Sequence, residues 1–229
     1  IGTGETPLMT CSKSGSVEGV QMLLSHDAAV NTAEPAQNQT ALMWAAAQHH
    51  PEVVKMLIDA KADLKAHTKR GFTALHFAAR EGDQECARLL IAAGVDVNIR
   101  TEPARTRGAA TDAAAVAAFR RGFQKTPGNA GYTPLLVATV RGQVDMALFL
   151  LDNRADPNVG DVGYVPLHWA VTSWENGTAN QVYGFQDPMS GIPDRQAKLR
   201  LVKALLAHGG NPNARMTSGQ PSFAGGYLD

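Results

Sequence analysis

The chain has 229 residues, 44% of them hydrophobic and 18% charged, with 21 basic side chains against 21 acidic ones. That apolar share can bury a core and excludes wholesale disorder, while zero net charge argues against a globally basic nucleic-acid binder. No run approaches the roughly 18 apolar residues of a membrane span, and two cysteines, Cys11 and Cys86, cannot make a disulfide-dense scaffold.

From the N-terminus onward one pattern returns five times. Thr6-Pro-Leu-Met-Thr-Cys11, Thr40-Ala-Leu-Met-Trp-Ala45, Thr73-Ala-Leu-His-Phe-Ala78, Thr133-Pro-Leu-Leu-Val-Ala138 and Val165-Pro-Leu-His-Trp-Ala170 begin 34, 33, 60 and 32 positions apart. A period of 33 leaves an insertion of 27 residues in the third interval. A second apolar run follows each segment: Val20–Leu24, Val53–Ile58, Cys86–Ile91, Met146–Leu151 and Leu201–Leu206. Four of the runs end in a polar turn closing on Asn31, Asn98, Asn158 or Asn213, whereas the second copy ends Ala62-Asp-Leu-Lys65.

These motifs resemble the ankyrin repeat, a β-turn plus two antiparallel helices with a T-P-L-H-x-A signature. The likeness covers nearly the whole chain apart from the insertions and the last fifteen or so residues. It implies an all-α solenoid of stacked helix-turn-helix units with β-turn fingers. Repeats fall at about 2–34, 36–68, 69–100, 129–160 and 161–214, with insertions at about 101–127 and 175–194. The insertions and the Ala-Leu-Met-Trp-Ala-Ala variant are similar to multi-repeat ankyrin proteins of environmental bacteria, which favours an exported (periplasmic or extracellular) protein over a cytoplasmic one. With no initiating Met, no h-region and no evident terminal cap, the chain reads as a segment of a longer protein.

The local chemistry predicts the same elements. Thr6, Thr40, Thr73 and Thr133 stand where a hydroxyl can accept from the first free amides of a helix. Pro7, Pro134 and Pro166 follow at the first helical position, where a missing N–H is harmless. The motif Leu points inward with the small residue three positions on, which lets helices approach closely. Gly15, Gly82 and Gly142 end the first helices in a left-handed turn. His49 and Trp174 replace that glycine in repeats two and five, which leaves the tightness of those two turns open.

For function, the resemblance implies a non-catalytic protein-interaction module, a scaffold or adaptor that contacts a macromolecular partner through the fingers and the exposed side of the first helices. Just before the motif Thr stand Glu5, Gln39, Phe72, Tyr132 and Tyr164. The last three would form an aromatic stripe, and with Arg80 and Arg141 they are the expected partner-binding residues; packing on the next finger is the alternative. The exposed pairs of the first helices read as Lys13-Ser14, Ala47-Gln48, Arg80-Glu81, Val140-Arg141 and Thr172-Ser173. The first insertion carries Arg100, Arg105, Arg107, Arg120, Arg121 and Lys125 against Glu102 and Asp112. Asp112–Arg121, acidic at its start and basic at its end, predicts a short helix, either a clamp for an acidic segment or a tolerated surface insertion. The second insertion holds Tyr183, Phe185 and Met189, which fold back on the solenoid or dock on a neighbouring subunit.

Signs of other chemistry are few. The seven histidines join no Cys or carboxylate at zinc spacing, and the resemblance gives the motif residues His76 and His168 a framework hydrogen bond. There is no G-x-S-x-G, P-loop or Rossmann glycine pattern, so neither a metal, a cofactor nor catalysis is expected. Cys11 and Cys86, two repeats apart, are beyond disulfide reach. Two other readings stay in view: a structural subunit packed permanently in an assembly, and a binder of nucleic acid or another anionic polymer through the Arg-rich insertion.

Overall fold

A computed structural model of the chain describes residues 4–101, 131–160, 165–171 and 194–215. The helices within these residues are α1 (Pro7–Ser14), α2 (Val17–Ser25), α3 (Ala41–Ala47), α4 (Pro51–Asp59), α5 (Ala74–Glu81), α6 (Gln84–Ala92), α7 (Pro134–Val140), α8 (Val144–Asp152), α9 (Pro166–Val171) and α10 (Arg195–Ala207). They pack as five antiparallel pairs. The first helices form an inner column, α1 to α3 to α5 to α7 to α9, and the second helices stack outside it. This is the all-α solenoid that the repeats imply. The helix expected at Asp112–Arg121 and the whole second insertion lie outside the described residues.

One continuous core runs through the stack. Leu8, Leu42, Leu75 and Leu135 are buried between inner and outer helices, as are Ala45, Ala78, Ala138 and Ala170. Val20, Val53, Leu57, Cys86, Leu90, Met146, Leu150, Leu201 and Leu205 supply the facing side. Each such Leu contributes about 1.5–3 kcal/mol by leaving water, and no repeat could bury it alone.

The caps follow the expectation in part. The Thr6 hydroxyl accepts from the Met9 amide at 3.3 Å and that of Thr133 from the Leu136 amide at 3.2 Å. Thr73 instead turns its hydroxyl to His76 Nδ1 at 3.0 Å. Thr40 departs from the expectation: its side chain makes no cap bond, and its hydroxyl oxygen is buried without a hydrogen-bond partner.

Gly15, Gly82 and Gly142 take φ values of 73°, 80° and 75°, and His49 takes the same left-handed turn at 59°. The turn in repeat two is therefore as tight as the others, with His49 held in a conformation that L side chains rarely adopt. The next repeat explains the glycines. A Cβ on Gly15 would lie 2.5 Å from the His50 ring, and one on Gly82 would lie 2.5 Å from Gln143. Both neighbours reach across the joint: His50 Nε2–H donates to the Lys13 carbonyl at 3.2 Å, and the Gln143 amide donates to that of Arg80 at 3.3 Å.

Two N-cap threonines, Thr133 with a cap bond and Thr40 without one, give a stability test. Thr133→Val should lower the unfolding free energy by about 1 kcal/mol through loss of its cap. Thr40→Val should be neutral or stabilising, because it removes a buried hydroxyl that has no partner. Urea unfolding followed by circular dichroism measures both, and equal losses would contradict the assignment.

Candidate interaction face

The fingers are bracketed at their base by paired hydrogen bonds. In repeat three the Thr68 amide donates to the Phe72 carbonyl (2.9 Å) and the Phe72 amide to the Thr68 hydroxyl (3.1 Å). In repeat four Thr101 and Tyr132 make the same two bonds, both at 2.9 Å. In both repeats a glycine amide adds a third, Gly71 to the Thr68 carbonyl and Gly131 to the Thr101 carbonyl, each at 2.8 Å. Glu34 and Gln39 form the corresponding bracket in repeat two. The first insertion thus enters and leaves at Thr101 and Tyr132, where repeat three has only Lys69, Arg70 and Gly71.

That bracket corrects the expected aromatic stripe. Phe72 is 3% exposed and Tyr132 is 1% exposed. Both backbone polar groups of each residue are engaged at the finger base, and the rings sit among His76, Phe77 and each other, with the Phe72 and Tyr132 centroids 6.5 Å apart. They hold one finger to the next rather than facing a partner. Tyr164, the basic residues Arg105, Arg107, Arg120 and Arg121, and Tyr183, Phe185 and Met189 lie outside the described residues.

The inner helices do present a polar face, with some of the expected pairs altered. Thr10, Lys13, Ser14, Gln48 and His49 are exposed, whereas Ala47 and Val140, expected outside, are buried. Arg80 is half-buried, ion-paired to Glu81 at 2.6 Å and stacked 4.9 Å from the Phe77 ring centre. Arg141 is half-buried at the following position of repeat four. Lys13 Nζ lies 4.3 Å above the ring of Trp44, a half-buried indole whose Nε1 donor finds no acceptor. Trp44 was missed in the sequence, although its motif position reads Thr10, Trp44, Phe77, Val137 and Trp169 along the chain, a row with three aromatics.

The motif histidines are framework groups. His76 Nδ1 accepts from the Thr73 amide at 3.2 Å, which leaves Nε2–H to donate to the Tyr132 carbonyl at 3.0 Å. His168 repeats the arrangement, accepting from the Val165 amide and bonding the Ala214 carbonyl, each at 3.0 Å. Full burial depresses the His76 pKa to about 4, with the Tyr132 carbonyl opposing the shift.

One constellation that spacing could not show joins His49, Asp83 and Cys86. His49 Nδ1 lies 3.4 Å from an Asp83 carboxylate oxygen, and the other oxygen caps α6 through the Glu85 and Cys86 amides. The order is wrong for a nucleophile. Asp83 stands beside the thiol, and burial together with that carboxylate pushes the Cys86 pKa up, so the sulfur stays protonated. Both cysteines are free thiols. Among the described residues no group of three His, Cys, Asp or Glu side chains could hold a metal ion, and no helix is long and apolar enough to cross a membrane.

The buried histidine predicts a pH dependence. His76 is neutral in the fold, while its unfolded counterpart titrates near 6.5, so its contribution is complete above that pH and declines as pH falls toward 4. The fall amounts to about 3 kcal/mol, at ~1.4 kcal/mol per pH unit. His76→Met, the residue found at this motif position in repeats one and two, should show a flatter stability profile between pH 7 and 4.5 in urea unfolding. Parallel profiles would contradict this assignment.

Comparison with known proteins gives the same picture. A profile of three ankyrin repeats matches residues 8–101, and a single-repeat ankyrin profile matches residues 130–162. The chain is 36% identical over 72 residues to "Ankyrin repeat and SAM domain-containing protein 6" of Rattus norvegicus, and 35% identical over 72 residues to the protein of the same name from Mus musculus. Each match covers 31% of this chain and 8% of the relative, so the chain spans less than a tenth of the length of these relatives. Ankyrin repeats generally mediate protein–protein interaction. With its profile matches, five registered motifs and stacked helix pairs, the chain belongs to the ankyrin-repeat family.

Proposed function

We propose that this chain is a non-catalytic interaction module, a scaffold or adaptor segment that holds a protein partner along its inner-helix face. The observation that carries the reading is the Lys13–Trp44 pair on that face, a cation 4.3 Å over a half-buried indole ring. Aromatic and cationic side chains of this kind anchor interface hot spots. The indole N–H itself is buried, so what the pair offers a partner is the exposed part of the ring and the Lys13 ammonium. Arg80 and Arg141 extend the face toward repeats three and four. The segment bearing Arg105, Arg107, Arg120 and Arg121 leaves the solenoid at Thr101 and serves in this reading as a clamp for an acidic stretch of the partner.

A structural subunit fixed in a larger assembly is the second reading. Its support is a set of exposed apolar side chains on outer helices, Met22 on α2 and Leu199 and Leu206 on α10.

Cross-linking capture from the native source, with mass-spectrometric identification, separates the two. The wild-type chain would be compared with Trp44→Ala/Lys13→Glu and with a chain whose residues 102–131 are replaced by the Lys-Arg-Gly turn of residues 69–71. A discrete protein whose recovery falls at least tenfold in the first variant, with the thermal unfolding midpoint unchanged, is the expected result. A constant set of subunits indifferent to both changes would favour the assembly, and salt-washable nucleic acid alone would overturn both readings.

A further inference from the structure

The polar turns that close the repeats are joined by a ladder of asparagines. Asn31 donates its amide to the Lys61 carbonyl (3.4 Å) and accepts the Asp63 N–H (2.7 Å). Asn98 does the same with Arg154 (3.3 Å) and Asp156 (2.7 Å), and Asn158 with Gly209 (3.0 Å) and Asn211 (2.7 Å). Each carboxamide spans one carbonyl and one amide of the next turn, held at a fixed spacing by a left-handed residue: Lys61 at 65°, Arg154 at 70° and Gly209 at 88°.

Between repeats two and three the rung is missing. Lys65 stands where the asparagine would be, yet the facing turn is built like the others, with Gly94 left-handed at 97°. The Gly94 carbonyl and the Asp96 N–H consequently have no partner among the described residues. They open into a groove of about 800 Å³ that is also lined by Leu64, Lys65, His67 and Arg100. Lys65, His67 and Arg100 form no ion pair among the described residues, and among the described lining the cations Lys65 and Arg100 stand against one carboxylate, Asp96.

We infer that this groove binds an extended acidic peptide segment of a protein partner, with an Asn carboxamide of that segment taking the vacant rung. The carboxamide's N–H and oxygen complement the carbonyl and the N–H that the turn offers, as the three filled rungs show. Flanking carboxylates meet Lys65 and Arg100, and Leu64 gives the segment an apolar contact. The basic residues 102–130, with five cations against two carboxylates, have the wrong charge for an occupant. The site shares no residue with the inner-helix face, so it stands or falls apart from that reading.

The test uses the full chain with two labelled peptides, Asp-Glu-Asn-Leu-Asp-Glu and its Asn→Ala counterpart, in low-salt fluorescence anisotropy and amide NMR titration. The wild type should bind the Asn peptide at least tenfold more tightly, with the Gly94 and Asp96 amide signals moving to saturation. Lys65→Asn fills the rung from within; it should raise the urea midpoint and abolish the preference, whereas Lys65→Ala should keep it at reduced affinity. Equal binding of both peptides, a preference that survives Lys65→Asn, absence of binding, or displacement of both peptides alike by heparin would each overturn the inference.

Discussion

A single helix pair of this chain has two apolar flanks, and stacking is the constraint from which the rest follows. Burial of the motif leucines drives the pairs together, but burial alone would let them slide. Register comes from hydrogen bonds that each repeat can complete only with its neighbour. His50 bonds the Lys13 carbonyl, Gln143 bonds that of Arg80, His76 bonds that of Tyr132, and the Asn rungs tie the outer turns. Each bond has a modest net value, on the order of 1 kcal/mol, yet leaving its buried partner unsatisfied costs more. Joints of this kind tolerate apolar variation in the core and little polar variation at the seams.

The long first insertion shows how strongly the seams hold. Closing the finger between Thr101 and Tyr132 encloses 30 residues where Thr68 and Phe72 enclose three. Loop-closure entropy grows only logarithmically, so the larger loop costs about 2 kcal/mol more. The short finger has the same three neck bonds, so these hold the neck without offsetting the difference. The bond from His76 to the Tyr132 carbonyl is the added one, since Met43 stands at the histidine position facing Phe72. The solenoid continues past the insertion in register, with Asn98 and Asn158 making equivalent rungs on either side of repeat four.

Much of this was legible in the sequence because it rests on position. A period of 33 with Thr, Leu and Ala at fixed offsets specifies helix pairs, and Gly82 three residues after Ala79 specifies a left-handed exit. Position does not report direction. The residue before the motif threonine was placed on the finger, but the finger bracket turns Phe72 and Tyr132 inward, and no local pattern records a bond between residues 31 positions apart. The His49–Asp83–Cys86 cluster was hidden for the same reason, since it joins two repeats. The exception in repeat two, Lys65 for Asn, was visible as a broken pattern. Its meaning needed the neighbouring turn, because only the fold shows that the partner groups of the absent asparagine are still in place.

That broken position bears on how such a scaffold acquires binding sites. A solenoid's surface is open, and isolated surface polar groups are ordinarily satisfied by water at little net gain. At Lys65 the situation differs, because the facing turn is fixed by its own αL residue and by the Asp96 carboxylate accepting the Asn98 amide at 2.9 Å. The carbonyl of Gly94 and the amide of Asp96 are therefore preorganised, and a ligand need not order them. Replacing a structural asparagine by lysine removes a rung worth about 1–2 kcal/mol of hydrogen bonding. In a cooperative stack that loss is spread over many interfaces, while the specificity it opens is local. The same reasoning separates two kinds of joint along the ladder: a filled rung commits its carboxamide to the neighbouring turn, whereas the vacant one between repeats two and three leaves the same turn groups facing outward.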